Sequence, residues 1–256
     1  MTLDRREFLQ LSAGGLVAGS MLSHRDARLP ERAKYRAIAF DAFPIFDPRP
    51  VFALAEALFP GQGAALSNVW RARQFEYQWL RTAGHQYADF LQTTEEALVF
   101  AARQVQLELT PDARAQLMHA YMTLNAWPDA RPTLSALKAA GFRLAFLSNM
   151  TAAMLHAGIA NAALDGLFDH VLSTDARKTY KPDPLAYQMA IDAWKLKRDE
   201  IVFVSFAGWD ASGAKWFGYP TVWVNRLDAP PEELGVAPDL VGRDLSVVAR
   251  FVGVAG

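Results

Sequence analysis

The chain contains no cysteine, which excludes disulfides, thiol nucleophiles and cysteine-bound metals. It also has no surplus of charge. The formal net charge of −1 leaves no basic footprint for nucleic acid and no polybasic membrane patch. Histidine is scarce and scattered: His24, His85, His119, His156 and His170 are too far apart to suggest a histidine metal site. No internal repeat or low-complexity tract is present. What is there is an ordinary globular composition, 52% hydrophobic and 21% charged, over 256 residues. That length suits one large domain, or a core with one insertion.

Residues 1–30 read as a targeting segment rather than as fold. Asp4-Arg5-Arg6-Glu7-Phe8-Leu9 precedes a short, glycine-rich and weakly apolar run, Leu11 to Gly19, in the pattern of a twin-arginine export signal. The run is too short and interrupted for stable membrane insertion. The expected location is therefore the periplasm, or the cytoplasm if the signal is misread.

The remainder is organised around Arg36-Ala37-Ile38-Ala39-Phe40-Asp41-Ala42-Phe43-Pro44. An apolar run of strand length ends in a carboxylate. Such a run reads as a strand buried on both faces of a parallel sheet. Residues 51–127 then carry helical periodicity with no strand-like interruption, and Thr110-Pro111-Asp112 has a helix-opening signature. This block is expected to be a four-helix cap inserted between residues 31–50 and 128–256 of a Rossmann-like core. From residue 131 onward, helices alternate with the apolar runs 142–147, 168–173, 201–206 and 221–224. Alternation of this kind predicts an α/β fold with a doubly wound parallel sheet. Asp210 is expected in a loop leading to a helix.

Right-handed crossovers put the carboxyl ends of all parallel strands on one side, where ligand crevices form. Asp41, Ser148-Asn149, Lys181, and the stretch from Ser205 to Asp210 should converge there. Singly, each is an ordinary turn, loop or cap residue. Together they place two carboxylates, a lysine and short hydrogen-bonding groups in one crevice.

This series resembles the haloacid dehalogenase superfamily, and within it the type II L-2-haloacid dehalogenases. The resemblance rests on Phe40-Asp41, Trp70-Arg71-x-x-Gln74 with Tyr77-x-Trp79-Leu80-Arg81, Leu147-Ser148-Asn149, and Lys181-Pro182-Asp183-Pro184-x-x-Tyr187. Phe203-Val204-Ser205 with Trp209-Asp210-x-x-Gly213-Ala214 and the Asn225-Arg226 pair extend it. It implies that Asp41 attacks the halogen-bearing carbon of a short 2-haloacid, and that water then hydrolyses the ester on Asp41. It further implies that Lys181 keeps Asp41 ionised, and that Asp210 holds Lys181 and serves the water. Arg71 and Asn149 would meet the halide, and Ser148 would meet the substrate carboxylate. Phe43, Tyr187, Ser205 and Trp209 would bind substrate by lining the pocket. No cofactor or metal is implied.

A magnesium-dependent phosphatase of the same superfamily is the rival reading. Those enzymes carry a second Asp two residues after the nucleophile, as acid and base for a leaving alkoxide. Phe43 stands there, and a halide needs no proton to leave. The family pattern Asp-x-Tyr-Gly-Thr becomes Asp41-Ala42-Phe43-Pro44-Ile45, and a Ser-Asn pair becomes Phe206-Ala207. These two departures support a third reading, a catalytically weak relative that binds small anions. The aromatic helix from Trp70 to Leu80 suggests either a homodimer surface or simple packing of cap on core.

Overall fold

The computed structural model describes residues 34–254. The segment read as an export signal lies outside them. At the centre is β1 (Ala37–Phe40), hydrogen-bonded in parallel to β2 (Arg143–Ser148) on one side and β4 (Ile201–Ser205) on the other. Adding β3 (His170–Ser173), β5 (Thr221–Val224) and β6 (Leu240–Gly242) gives a six-stranded parallel sheet in the order β3-β2-β1-β4-β5-β6. The chain order reverses between β1 and β4, which opens a crevice at their carboxyl ends.

The two-residue period of β1 explains why it has no polar face. Ile38 and Phe40 pack into one core, and Ala37 and Ala39 into the other. The first core takes Leu134 from α5 (Ala130–Ala139), Met154 from α6 (Ala152–Asn161) and Val247 from α9 (Ser246–Phe251). The second takes Tyr187 and Met189 from α7 (Pro184–Trp194), with Ala214 and Phe217 from α8 (Gly208–Phe217). Helices therefore cover both faces, as the alternating pattern predicts.

Four helices fall between β1 and β2 ahead of α5: α1 (Arg49–Leu58), α2 (Gly63–Ala83), α3 (Phe90–Gln104) and α4 (Pro111–Ala120). Local signals start two of them. Asp89 caps α3 by accepting from the Gln92 N–H, and Thr110 caps α4 by accepting from the Ala113 N–H. The α2–α3 contact is pinned at Thr94. Its carbonyl accepts from Trp70 Nε1 at 2.8 Å and its hydroxyl from Gln74 Nε2 at 2.5 Å. The cap is tied to the core at several points. Tyr180 donates to the Ala88 carbonyl at 2.6 Å, and Tyr87 donates to Asp175 at 2.9 Å. Phe75 and Trp79 of α2 pack edge-on against Trp209 at the start of α8, with ring centroids 5.3 and 5.5 Å away.

Three details differ from expectation. Helix α1 begins at Arg49, just before the span assigned to the cap. Asp210 is not in a loop. It is the third residue of α8, which begins three residues after β4 ends. The β4–α8 turn is short enough that the carboxylate is presented from a helix's first turn. The sixth strand and α9 lie beyond the segment whose motifs could be read. Among the described residues, no helix is long and apolar enough to cross a membrane.

Candidate active site

Asp41 follows directly on β1, and its backbone N–H continues the ladder by donating to the Val204 carbonyl at 2.9 Å. The side chain therefore emerges at the mouth of the crevice with its backbone fixed. It is buried. Oδ1 accepts from Lys181 Nζ at 2.8 Å and from the Ser148 hydroxyl at 3.2 Å. Oδ2 accepts only a longer bond, 3.3 Å from the Phe43 N–H. The less engaged oxygen is the better nucleophile.

Lys181, 1% exposed, stands between two carboxylates. Its second partner is Asp210 Oδ2, at 2.6 Å. Burial alone would depress the Lys181 pKa, but the facing charges of Asp210 and Asp41 outweigh it and leave the ammonium held above its ordinary value. Burial pushes the Asp210 carboxyl up to about 6, against the opposing pull of Lys181 and with Asp41 adding to the rise. Asp210 Oδ1 accepts from the Tyr187 hydroxyl at 2.7 Å. Burial first, and then the Asp210 charge, hold the Tyr187 phenol well above its usual range. Tyr187 is thus a permanent donor to Asp210. Gly213 makes room for it: a Cβ there would lie 2.5 Å from the Tyr187 hydroxyl and 2.7 Å from Pro182.

The turn carrying Phe43, Pro44 and Ile45 is clamped from outside. Arg226 donates twice to the Pro44 carbonyl, at 3.1 and 2.6 Å, while forming a bidentate pair with Asp129 at 3.0 Å. Trp127 Nε1 reaches the carbonyls of Phe43 and Phe46. Ile45 is wholly buried in the apolar core, so the missing hydroxyl is replaced by packing.

A small cavity of about 30 Å³ lies against this cluster. Its core wall includes Asp41, Phe43, Ser148, Asn149, Lys181, Phe206, Ala207, Trp209 and Asp210, and its cap wall is Phe75, Gln78 and Phe90. A second cavity of about 200 Å³ shares Phe43, Phe75, Phe206, Ala207 and Trp209 with it, and adds Arg71, Gln74, Phe52, Asn225 and Glu232 among others. Aromatic rings separate the two, with Phe43 and Phe206 centred 5.8 Å apart.

Most residues singled out from the sequence meet here, but three, Arg71, Tyr187 and Ser205, are placed differently from expectation. Arg71 does not line the cavity that holds Asp41. It sits in the adjoining one, its guanidinium 5.4 Å from the Phe52 ring centre, because the Phe43 and Phe75 side chains occupy the shared wall. Asn149 lines the Asp41 cavity with one of its two Nδ2 N–H groups committed. Its Oδ1 accepts from the Lys181 N–H at 2.9 Å and from Thr174, and its Nδ2 donates to Gln78 Oε1 at 2.7 Å. Tyr187 is behind Asp210 rather than in the wall. Ser205 is buried beneath the site, with a hydroxyl that has no partner. Phe43 and Trp209 line both cavities.

Gln78 carries no motif signal, yet it is fully buried and lines the Asp41 cavity. The spacing contains the clue: 71, 74 and 78 are i, i+3 and i+7 on one helix face. Its Nε2 is buried without a partner, an arrangement that costs about 1–3 kcal/mol.

The described residues include no cluster of three or more His, Cys, Asp or Glu side chains able to hold a metal ion. The one acid in the first turn of α8, Asp210, has its oxygens on Lys181 and Tyr187. What the cluster can do is covalent: a buried, lysine-held carboxylate faces a small cavity, with a second carboxylate beside it that can take a proton.

Comparison with known proteins supports the same reading. The family model "haloacid dehalogenase-like hydrolase" matches residues 24–218. The chain is 46% identical over 198 residues to (S)-2-haloacid dehalogenase 4A of Burkholderia cepacia, covering 77% of this chain and 86% of the relative. It is 37% identical over 222 residues to haloacetate dehalogenase H-2 of Moraxella sp. (strain B), covering 86% and 99%. The L-2-haloacid dehalogenase of Xanthobacter autotrophicus, solved with chloropropionic acid covalently bound, superposes with a TM-score of 0.78 at 34% identity, covering 86% of this chain and 98% of that one. By family model, by sequence and by structure, the chain belongs to the haloacid dehalogenase-like hydrolases, alongside the (S)-2-haloacid dehalogenases.

Proposed function

We infer that this chain hydrolyses short (S)-2-haloacids to 2-hydroxyacids through an ester on Asp41. The observation that carries this is the Asp41–Lys181–Asp210 chain, with contacts of 2.8 and 2.6 Å, beside a position where Phe43 replaces a proton donor. Asp41 Oδ2 attacks C2 of the substrate. A C–O bond forms, the C–halogen bond breaks, and halide leaves with the electron pair. Water then adds to the Asp41 carboxyl carbon and gives its proton toward Asp210. The 2-hydroxyacid departs and Asp41 is restored. Lys181 pairs with the Asp41 carboxylate at 2.8 Å and, with Ser148, orients it.

The substrate's length is limited by the room available. The small cavity takes the reacting carbon and halogen, and the aromatic partition leaves a short carboxylate to reach toward the adjoining space. Arg71 supplies that space with positive charge for an anionic substrate. Trp209 and Phe43 keep both spaces dry, where electrostatic interactions are strongest.

Chloride release from (S)-2-chloropropionate without added metal tests this. Catalytic release is expected. No release with excess enzyme would refute it. A burst equal to the enzyme concentration, without turnover, would instead point to stalled ester hydrolysis, as in a catalytically weak relative that binds a small anion. Ile45 and Ala207, which put apolar groups where a hydroxyl and an amide are expected, support that second reading.

Export through the twin-arginine route is part of the same proposal, supported by Arg5-Arg6 and the short apolar run. Fusing residues 1–30 to a reporter tests it, and retention of the reporter in the cytoplasm would refute it. A homodimer is supported by Trp79 and Leu80, which stay 38% and 63% exposed on α2. Light scattering at micromolar concentration would show a monomer if the exposed pair serves no interface.

A further inference from the structure

We propose that Arg226 and Trp127 are positioning residues for the nucleophile, and that they supply from outside the support that the turn after Asp41 lacks. This rests on the dehalogenase reading above. The turn itself offers Asp41 little. Pro44 has no N–H, and Ile45 has no hydroxyl and is wholly buried in the core. The Ile45 and Phe46 N–H groups are both spent on the Ala42 carbonyl, at 3.0 and 2.8 Å. That leaves the Phe43 N–H, which donates to Asp41 Oδ2, the attacking oxygen, at 3.3 Å. So long a bond aims Oδ2 only if the Phe43 backbone cannot move.

The backbone is held carbonyl by carbonyl. Trp127 Nε1 donates to the Phe43 and Phe46 carbonyls, at 3.0 and 3.1 Å. Arg226 donates to the Pro44 carbonyl at 3.1 and 2.6 Å. The Trp127 N–H takes the Ile45 carbonyl at 2.9 Å. Four successive carbonyls are thus fixed by two residues, one ahead of α5 and one after β5. The two also brace each other. The Arg226 guanidinium lies 4.5 Å from the Trp127 ring centre, and Asp129 fixes its plane with two bonds of 3.0 Å. The Arg226 side chain is 5% exposed, so water does not compete for these bonds. Other residues make the walls of both cavities, so neither Arg226 nor Trp127 meets the substrate. What they control is where Oδ2 points.

Misplacing a reacting atom by about 1 Å costs on the order of 100-fold in rate. Three variants test the clamp. Arg226→Met removes both bonds to Pro44, Arg226→Lys keeps one donor, and Trp127→Phe removes Nε1 while leaving a ring for Arg226. On (S)-2-chloropropionate, kcat should fall by about 10- to 100-fold in Arg226→Met and by about 10-fold in Trp127→Phe, with KM within about 3-fold of wild type. Arg226→Lys should recover part of the loss. The single-turnover rate of halide release, with enzyme in excess, should fall by the same factor as kcat, because aiming Oδ2 serves the attack. Each rate is measured at a temperature where thermal unfolding shows the variant folded.

A folded Arg226→Met that keeps the wild-type kcat, or that raises KM alone, would overturn the proposal and leave the clamp as a brace between cap and core. If Arg226→Met does not fold, Trp127→Phe and Arg226→Lys decide by the same criterion. A wild-type protein that releases no halide would refute the dehalogenase reading instead. Hydrogen exchange at the Phe43 amide then decides this assignment: faster exchange in Trp127→Phe would uphold it, and wild-type exchange would overturn it.

Discussion

Replacing Lys181 by Met removes the cation from between two buried carboxylates. In the native protein its ammonium is 2.8 Å from Asp41 and 2.6 Å from Asp210, at 1% exposure. Met fills a similar volume, so the change is mainly one of charge. Breaking a buried pair by removing one partner costs about 3–5 kcal/mol, because the remaining charge is left uncompensated. The remaining carboxylates can escape this by taking a proton, so the cost depends on pH. Burial already lifts Asp210 to about 6 with the lysine present. Without it, the folded-state pKa rises further above the unfolded value. A group with a raised folded pKa is stabilised below that pKa and loses the benefit as pH rises through it. The variant should therefore be least stable at alkaline pH. It should recover relative to wild type as pH falls, by up to about 1.4 kcal/mol per pH unit for each proton involved. Urea unfolding followed by tryptophan fluorescence at pH 8 and pH 6 measures both quantities. A loss near 4 kcal/mol at pH 8 that shrinks by roughly 2 kcal/mol at pH 6 is expected. A loss below about 1 kcal/mol with no pH dependence would refute the argument.

Asp41→Asn should abolish halide release while leaving the melting temperature within a few degrees of wild type, and undiminished turnover would rule out this nucleophile. The kcat profile should show an acid limb near pH 6, below which Asp210 is protonated and cannot accept the water's proton. Tyr187→Phe removes a hydrogen bond that lowers the Asp210 pKa, so that limb should move to higher pH with KM little changed; an unmoved limb would separate Asp210 from it. Gly213→Ala places a methyl 2.5 Å from the Tyr187 hydroxyl and should cost about 1–3 kcal/mol of stability in thermal unfolding. A wild-type melting curve would show that Tyr187 can shift freely.

The sheet was readable because β1, β2 and β4 are continuous apolar runs, which only strands buried on both faces need. The cap was readable because its helical periodicity runs without a strand-like break and Thr110-Pro111 marks the start of its fourth helix. The short strand β6, Leu240–Gly242, carries only a half-buried pattern and had no such signal. At the site, Asp41, Lys181 and Asp210 were legible as residues at strand ends. Their partners were not. Arg71 and Gln78 sit on the same helix, yet line different cavities, because Phe43 and Phe75 stand between the two spaces. Ser205 and Tyr187 are in the right motifs but lie behind the site rather than in it. Alternation and spacing place a side chain on a face of its element. They do not say which neighbour takes its hydrogen bonds, and the amide-to-amide bond from Asn149 to Gln78 is one that spacing could not show.

The central claim is that Asp41 forms the ester and that water attacks its carboxyl carbon. A single turnover in heavy-oxygen water, with enzyme in excess over (S)-2-chloropropionate, tests it most directly. The account predicts an unlabelled 2-hydroxyacid and one heavy oxygen in the peptide containing Asp41. Label in the product of that first turnover, with Asp41 unlabelled, would mean that water attacked the substrate directly and would contradict it.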